Sequence, residues 1–175
     1  MTQSRSEKTG RIARLAVLTA MALAVQWLES FLPPPVPSVP VRIGLANIFV
    51  LYALIEMGSG DALAVSVLRS LLLPLITGNV SGLIYSLLGG VLSWAVMTAL
   101  LGVYRRSGIS GIGLSVAGAA AYQIGQTLAG CLTVGTVIVA YAPVMILLSI
   151  PAGIATGWIS GILISRVSGR TGKRG

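Results

Sequence analysis

The side chains able to do chemistry are few in this sequence, and their types exclude most catalytic arrangements. The acids are Glu7, Glu29, Glu56 and Asp61, there is no histidine, and Cys131 is the single cysteine. Without histidine, a Ser-His-Asp triad or a histidine metal site cannot form, and one cysteine cannot build a disulfide framework. No two acids lie closer than five residues in sequence, which disfavours paired-carboxylate hydrolysis. We therefore expect no catalytic residue, no metal and no cofactor.

The composition points to a membrane protein whose buried polar residues carry its function. The chain is 55% apolar and 9% charged, whereas a soluble domain has about 25% charged residues. Intramembrane charge is costly and is usually paired or functional. Arg69 lies near the centre of an apolar segment, and it could form a buried ion pair with Glu29 or Glu56. Alternatively it faces a cavity and neutralises a carboxylate or phosphate of a ligand, and the two roles can coexist.

Further polar side chains could line the same cavity. Gln123 and Gln126 are three residues apart on one helix face beside Tyr122, which suits either interhelical hydrogen bonds or a ligand lining. A second set of polar residues, which includes Ser86, flanks the loop before the fourth apolar segment. Tyrosines and glutamines would permit a planar polar ring in the ligand, and the arginines suggest an acidic group. The candidate ligand-binding residues are Glu29, Arg42, Asn47, Arg69, Asn79, Tyr85, Tyr122, Gln123 and Gln126.

Six apolar segments must position these residues, since about 20 apolar residues are needed to cross a bilayer core of about 30 Å. The second and third have about 15 residues and would span only about 22 Å as straight helices, so we expect neighbours or loops to extend them. The sequence predicts an all-α polytopic protein with one transmembrane domain over 12–164, between basic tails over 1–11 and 165–175. The segments are Ile12–Leu32, Ile43–Met57, Ala62–Ile76, Leu83–Tyr104, Leu114–Tyr141 and Pro143–Ile164.

The positive charges predict the orientation of these segments. With six crossings, ten of the twelve Lys and Arg residues fall on one side, Arg42 falls on the other, and Arg69 lies inside a segment. The positive-inside rule then places both termini in the cytoplasm of a prokaryotic plasma membrane. A five-segment alternative, in which 114–164 is divided differently, fits these charges poorly. We interpret the basic tails as topology signals that touch anionic lipid, and we expect no nucleic-acid partner.

A stripe of small residues, Ala16, Ala20 and Ala24, runs along the first segment at helical spacing. Small residues let helix backbones approach closely in lipid, where apolar burial offers little driving force. The stripe serves either packing within this chain or docking of a partner membrane protein. No useful internal repeat is evident, which disfavours a transporter built from inverted halves.

Several short motifs resemble those of the Gx transporter family, also labelled heptaprenyl diphosphate synthase component I. They are Leu28-Glu29-Ser30-Phe31-Leu32-Pro33-Pro34-Pro35, Arg42-Ile43-Gly44-Leu45-Ala46-Asn47-Ile48, Leu68-Arg69, Tyr85-Ser86-Leu87-Leu88-Gly89-Gly90 and Ile124-Gly125-Gln126. The resemblance extends over nearly the whole chain beyond the first basic tail. It departs at Tyr122-Gln123, where a His-Asn pair is expected, and after Arg69, where a glycine-containing run is expected. Both departures imply a ligand different from that of close relatives.

The Gx family in turn resembles the S components of energy-coupling factor transporters. This implies a six-helix bundle that captures a vitamin-like ligand at the outer face and works with a transmembrane coupling protein and a cytoplasmic ATPase pair. It also implies that the stripe at Ala16, Ala20 and Ala24 is the docking face. The alternatives are a non-catalytic membrane partner in isoprenoid or quinone synthesis, or a stand-alone carrier. Prenyl transfer by this chain is not expected, because magnesium diphosphate chemistry needs clustered aspartates and Asp61 is the single aspartate.

Overall fold

The chain folds into helices throughout the part that the structure describes. The computed structural model describes residues 2–32, 42–106 and 108–171, with side chains over 7–32, 42–106 and 108–167. Within these ranges there are six α-helices, one 3-10 helix and no strand, which confirms the all-α prediction. The helices are α1 (Thr2–Glu29), α2 (Asn47–Glu56), α3 (Ser59–Thr77), α4 (Val80–Arg105), α5 (Gly111–Thr133) and α6 (Ala142–Thr171). The proline-rich segment at 33–40 lies outside the described residues.

Two helices are shorter than the segments that the sequence predicts. α2 begins only at Asn47 and has 10 residues, against about 15 in the predicted segment. α5 ends at Thr133 rather than Tyr141, because Gly135 adopts a φ of 93° and a 3-10 helix over Thr136–Tyr141 follows it. Such a φ is accessible to glycine and strained for other residues, so the glycine marks the turn. α1 and α6 continue into the two basic tails.

Four stretches of the described chain are long and apolar enough to cross a membrane, namely Glu7–Glu29, Ser59–Thr77, Val80–Arg105 and Thr136–Val167. α2 is apolar but too short. α5 has 23 residues, yet polar side chains such as Gln123, Gln126 and Thr127 dilute its apolar character, and they are buried against other helices. The structure therefore supports a membrane protein with several spanning helices, and the count of six crossings stays a prediction.

α2 forms the centre of the bundle, which explains how so short a helix can be stable there. Seven of its ten residues are buried, and it contacts each of the five longer helices. Around it, contacts run from α1 to α3, α3 to α4, α4 to α5 and α5 to α6. α1 and α6 do not contact each other in the described part of the chain, so the ring is open between them.

Because successive helices run antiparallel, the bundle has two distinct ends. At the terminal end, the starts of α1, α3 and α5 meet the ends of α2, α4 and α6. Arg11 and Asp61 join α1 to α3 there at 2.6 Å. At the distal end, Tyr85, Ala129, Ile138 and Met145 form a small apolar cluster. The larger apolar core surrounds α2, and a buried polar cluster lies on the distal side of it.

Candidate functional site

Arg69 is the centre of the buried polar cluster. Its side chain is completely buried in the middle of α3. Its Nη2 donates to Asn47 Oδ1 at 2.8 Å, and Nη1 makes a longer contact of 3.4 Å with Gln26 Oε1. The guanidinium carbon lies 5.7 Å from the centre of the Tyr122 ring, within cation–π range. The cation is thus held by neutral oxygens and an aromatic face.

Hydroxyl groups on neighbouring helices support the two amides that hold Arg69. Gln26 Nε2 donates to Ser86 Oγ at 3.0 Å, and Ser86 Oγ donates to Ser70 Oγ at 3.1 Å. Asn47 Nδ2 donates to Ser93 Oγ at 3.1 Å. Each amide nitrogen therefore has an acceptor, which turns the amide oxygen toward Arg69.

Two glycines lie in close contact with the Tyr122 ring. A Cβ added at Gly89 would lie 3.0 Å from the ring, and one at Gly44 would lie 3.1 Å from it. Gly44 also has a φ of 91°, which other residues rarely adopt. The glycines at both positions thus let α4 and the segment before α2 approach the ring that covers Arg69.

The segment Arg42–Gly44 is fixed to the bundle from two sides. Gly44 N–H donates to Glu29 Oε1 at 2.6 Å, which links the end of α1 to this segment. From α5, Gln126 Oε1 accepts the Arg42 N–H at 2.9 Å, and Gln123 Nε2 donates to the Arg42 carbonyl at 3.2 Å. The two glutamines predicted to share a helix face do so, and both contact this segment.

The buried ion pair considered for Arg69 is not formed. Glu56 is exposed, and Glu29 uses one oxygen for Gly44. Over residues 7–32, 42–106 and 108–167, the one ion pair within 4.0 Å joins Arg11 to Asp61. Glu29 lies close enough to interact electrostatically with Arg69, but without a hydrogen bond. The short hydrogen bond of the guanidinium goes to Asn47 instead, at 2.8 Å.

Five buried atoms of charged or amide side chains in this region have no hydrogen-bond partner among the described residues. Unpaired buried polar groups are rare in native proteins and cost about 1–3 kcal/mol each. Here three are donors and two are acceptors, so the region could bind a polar molecule. The atoms are Arg42 Nη1, Arg69 Nε, Gln126 Nε2, Glu29 Oε2 and Gln123 Oε1.

Two predicted site residues lie apart from this region. Asn79 is exposed and accepts the Gly82 N–H at 3.0 Å, so it caps the start of α4. Tyr85 is buried in the distal apolar cluster, and its hydroxyl contacts Thr133 Oγ1 at 2.5 Å. In contrast, the other seven candidates lie on α1, the 42–44 segment, α2, α3 and α5 around Arg69. Whether any of the nine binds a ligand stays a prediction.

Sequence reasoning missed three members of the polar cluster, namely Gln26, Ser70 and Ser93. Gln26 lies three residues before Glu29 and therefore on the same face of α1, so its spacing was a usable signal. Ser70 and Ser93 had no such signal, because serine is tolerated in membrane helices where it bonds to its own backbone.

The small-residue stripe of α1 is exposed. Ala16, Ala20 and Ala24 are all exposed, so packing within the described chain does not cover them. Beside the stripe, the gap between α1 and α6 forms a cavity of about 440 Å³ at the terminal end. Its walls are mainly apolar, with Arg14, Tyr52 and Glu56 supplying polar groups.

The helices and their buried polar cluster define a helical membrane protein with a polar interior region toward one end. The chain belongs to the family described as heptaprenyl diphosphate synthase component I, which it matches over residues 18–163. This confirms the resemblance that the sequence motifs carry. No curated protein and no solved structure matches the chain.

Proposed function

We propose that this chain is a membrane-embedded, non-catalytic substrate-binding subunit that captures a small ligand with an acidic group for an energy-coupling factor uptake transporter. The observation that carries the proposal is the completely buried Arg69, whose described partners are neutral. An uncompensated buried charge is costly, and an anionic ligand group would supply the missing counter-charge. Arginine suits this role because its planar fork binds carboxylate and phosphate well.

The surroundings of Arg69 support a ligand rather than a purely structural network. A structural network is stable when all of its members are satisfied, yet five polar atoms here have no described partner. Arg42 and Arg69 outnumber the single carboxylate of Glu29, so the region has a net charge of about +1 before a ligand binds. A monoanion would neutralise it.

Charge placement supports an outward-facing site. Among the described side chains, the basic ones other than Arg42 and Arg69 lie at the terminal end, and under the positive-inside rule this end faces the cytoplasm. The polar cluster would then open toward the outside in a multi-pass protein of the prokaryotic plasma membrane. Such a site could capture the ligand before transport.

Partner docking is the second part of the proposal. The exposed stripe Ala16, Ala20 and Ala24 would let a helix of a transmembrane coupling protein approach α1 closely. The neighbouring cavity between α1 and α6 would receive larger side chains of that helix. An ATPase pair bound to the coupling protein would supply the energy, since this sequence contains no Walker A motif.

The ligand hypothesis is tested by mass spectrometry of small molecules carried through purification of the full chain from its native membrane. We expect an acidic molecule with the wild type, and none with Arg69→Met. Arg11→Met is the matched control, because Arg11 lies at the terminal end in an ion pair with Asp61. Retention of the same molecule by Arg69→Met would contradict the proposal.

A second candidate follows from the family description, which names a component of heptaprenyl diphosphate synthase. In this alternative the chain is a non-catalytic membrane partner in isoprenoid diphosphate synthesis. Co-purification separates the two: a coupling protein and an ATPase pair support the transporter subunit, and a prenyl-transferring enzyme supports the alternative. A bulky Ala20→Leu substitution should leave ligand retention intact and abolish ATP-driven uptake only in the first case.

A further inference from the structure

Hydrogen bonds to the backbone of Arg42 fix the orientation of the side-chain amides of Gln123 and Gln126. Gln126 uses its oxygen to accept the Arg42 N–H, and Gln123 uses its nitrogen to donate to the Arg42 carbonyl. An amide has a donor nitrogen on one side and an acceptor oxygen on the other. The opposite sides of the two amides therefore present one acceptor, Gln123 Oε1, and one donor, Gln126 Nε2.

Both of these atoms are buried and have no partner among the described residues. Gln123 is 1% exposed and Gln126 is completely buried. The two residues are one helical turn apart on α5, and both amides contact the backbone of Arg42, so the free acceptor and the free donor belong to the same part of the helix face. One acceptor and one donor match, in hydrogen-bonding type, a molecular edge that carries an N–H next to a carbonyl.

The same segment brings the charged groups close to this pair. Glu29 binds the Gly44 N–H with one oxygen, and its other oxygen is buried without a described partner. Arg42 interacts electrostatically with both Glu29 and Arg69. The unpaired amide atoms and the cations therefore belong to one site.

We propose that the ligand combines its acidic group with an amide-type edge, as found in a lactam, an imide or a ureide. Its N–H donates to Gln123 Oε1 and its carbonyl accepts from Gln126 Nε2, while the acid lies near Arg42 and Arg69. This inference rests on the proposed function, because it assigns the substrate class of the same site. A site built for such hydrogen bonds discriminates strongly against molecules that lack them, since its own buried groups then stay unpaired.

The test compares three small probes on the full chain in lipid nanodiscs, with dissociation constants from titrated thermal shifts. Pyroglutamate carries a lactam and a carboxylate, cyclopentanecarboxylate carries only the acid, and 2-pyrrolidinone carries only the lactam. We expect pyroglutamate to bind at least about tenfold more tightly than either of the others, since about 1.4 kcal/mol corresponds to a factor of ten. Equal affinity for the two acids would overturn the inference.

Two variants of equal charge test whether the amides of Gln123 and Gln126 cause the preference for pyroglutamate over cyclopentanecarboxylate. Gln126→Glu keeps an oxygen for the Arg42 N–H but removes the donor offered to the ligand, so the pyroglutamate preference should fall to about one. Gln123→Glu keeps an oxygen toward the ligand and loses the bond to the Arg42 carbonyl, so the preference should persist. The added charge affects both acidic probes alike and cancels in their ratio. A preference unchanged in Gln126→Glu would contradict the inference, even if Gln123→Glu fails to fold.

The outcomes also separate this inference from the proposed function. If cyclopentanecarboxylate binds the wild type but not Arg69→Met, and pyroglutamate has no advantage, the anion site stands and the amide edge is wrong. If neither acid binds the wild type, the amide inference is overturned. The proposed function is then decided independently by whether an acidic molecule co-purifies with the chain.

Discussion

The two ends of the bundle differ in whether a charged side chain has an ionic partner. At the terminal end, Asp61 is buried, and Arg11 from α1 reaches it with three hydrogen-bond contacts of 2.6–3.0 Å. On the distal side, Arg69 is completely buried and contacts amide oxygens and a tyrosine ring instead. Asp61 thus has an ionic partner, whereas Arg69 has none within 4.0 Å among the described side chains. Under the proposed function, an anionic ligand supplies the counter-charge that the described part of the chain does not place beside Arg69.

Asn47→Asp should have the largest effect, because it would make the distal region resemble the terminal end. An aspartate there would lie where Asn47 Oδ1 now accepts from Arg69 at 2.8 Å, and it would neutralise the guanidinium. We expect affinity for an anionic ligand to fall about tenfold to a hundredfold, corresponding to about 1.5–3 kcal/mol for a hydrogen bond to a charged group. The thermal midpoint without ligand should stay the same or rise. Retained affinity would show that Arg69 does not meet the ligand.

Asn47→Ala tests the same position without adding a charge. It leaves Arg69 Nη2 without its short hydrogen bond and removes the partner of Ser93 Oγ. We expect the free energy of unfolding to fall by about 1–3 kcal/mol, measured by denaturant titration in a fixed detergent. An unchanged stability would mean that water replaces the amide, and Arg69 would then be less isolated than the structure indicates.

Asn79→Ala should have a smaller effect, and it marks the limit of the distal region. Asn79 caps α4 through the Gly82 N–H, and loss of such a cap costs about 0.5–2 kcal/mol. Stability should therefore fall modestly, while the small molecule carried through purification stays bound. A loss of that molecule at unchanged stability would show that Asn79 contributes to ligand binding.

Asp61→Asn should have the smallest effect. It removes the ion pair with Arg11, but the Arg11 side chain is 61% exposed, so solvent screens the cation and the pair contributes little. The amide that replaces the buried carboxylate can still accept a hydrogen bond from Arg11. We expect a smaller change in the thermal midpoint than for Asn47→Ala, and no change in ligand retention. If this variant lost the ligand as Asn47→Asp does, the contrast between the two ends would be wrong.

The candidate site shows where sequence reasoning succeeded and where it stopped. A charge in an apolar segment is rare, which identifies Arg69 as a candidate, and helical spacing identifies Gln123 and Gln126. The structure places all three residues in one region. Proximity to the same loop also predicts Asn79 and Tyr85 as site residues. In the structure Asn79 caps α4, and Tyr85 belongs to the distal apolar cluster. Position along the chain could not distinguish these roles, because the side-chain direction depends on how each helix is rotated.

An all-helical, strongly apolar chain with a sharply asymmetric distribution of positive charge is predictable from the sequence alone. These properties follow from composition and spacing, which act locally. The helix packing was needed to show that α2 is short and central, that Asn47 rather than Glu29 or Glu56 hydrogen-bonds Arg69, and that the described chain leaves the alanine stripe of α1 uncovered. The physical reason is that each of these outcomes depends on the register and rotation of helices far apart in sequence, which close packing sets.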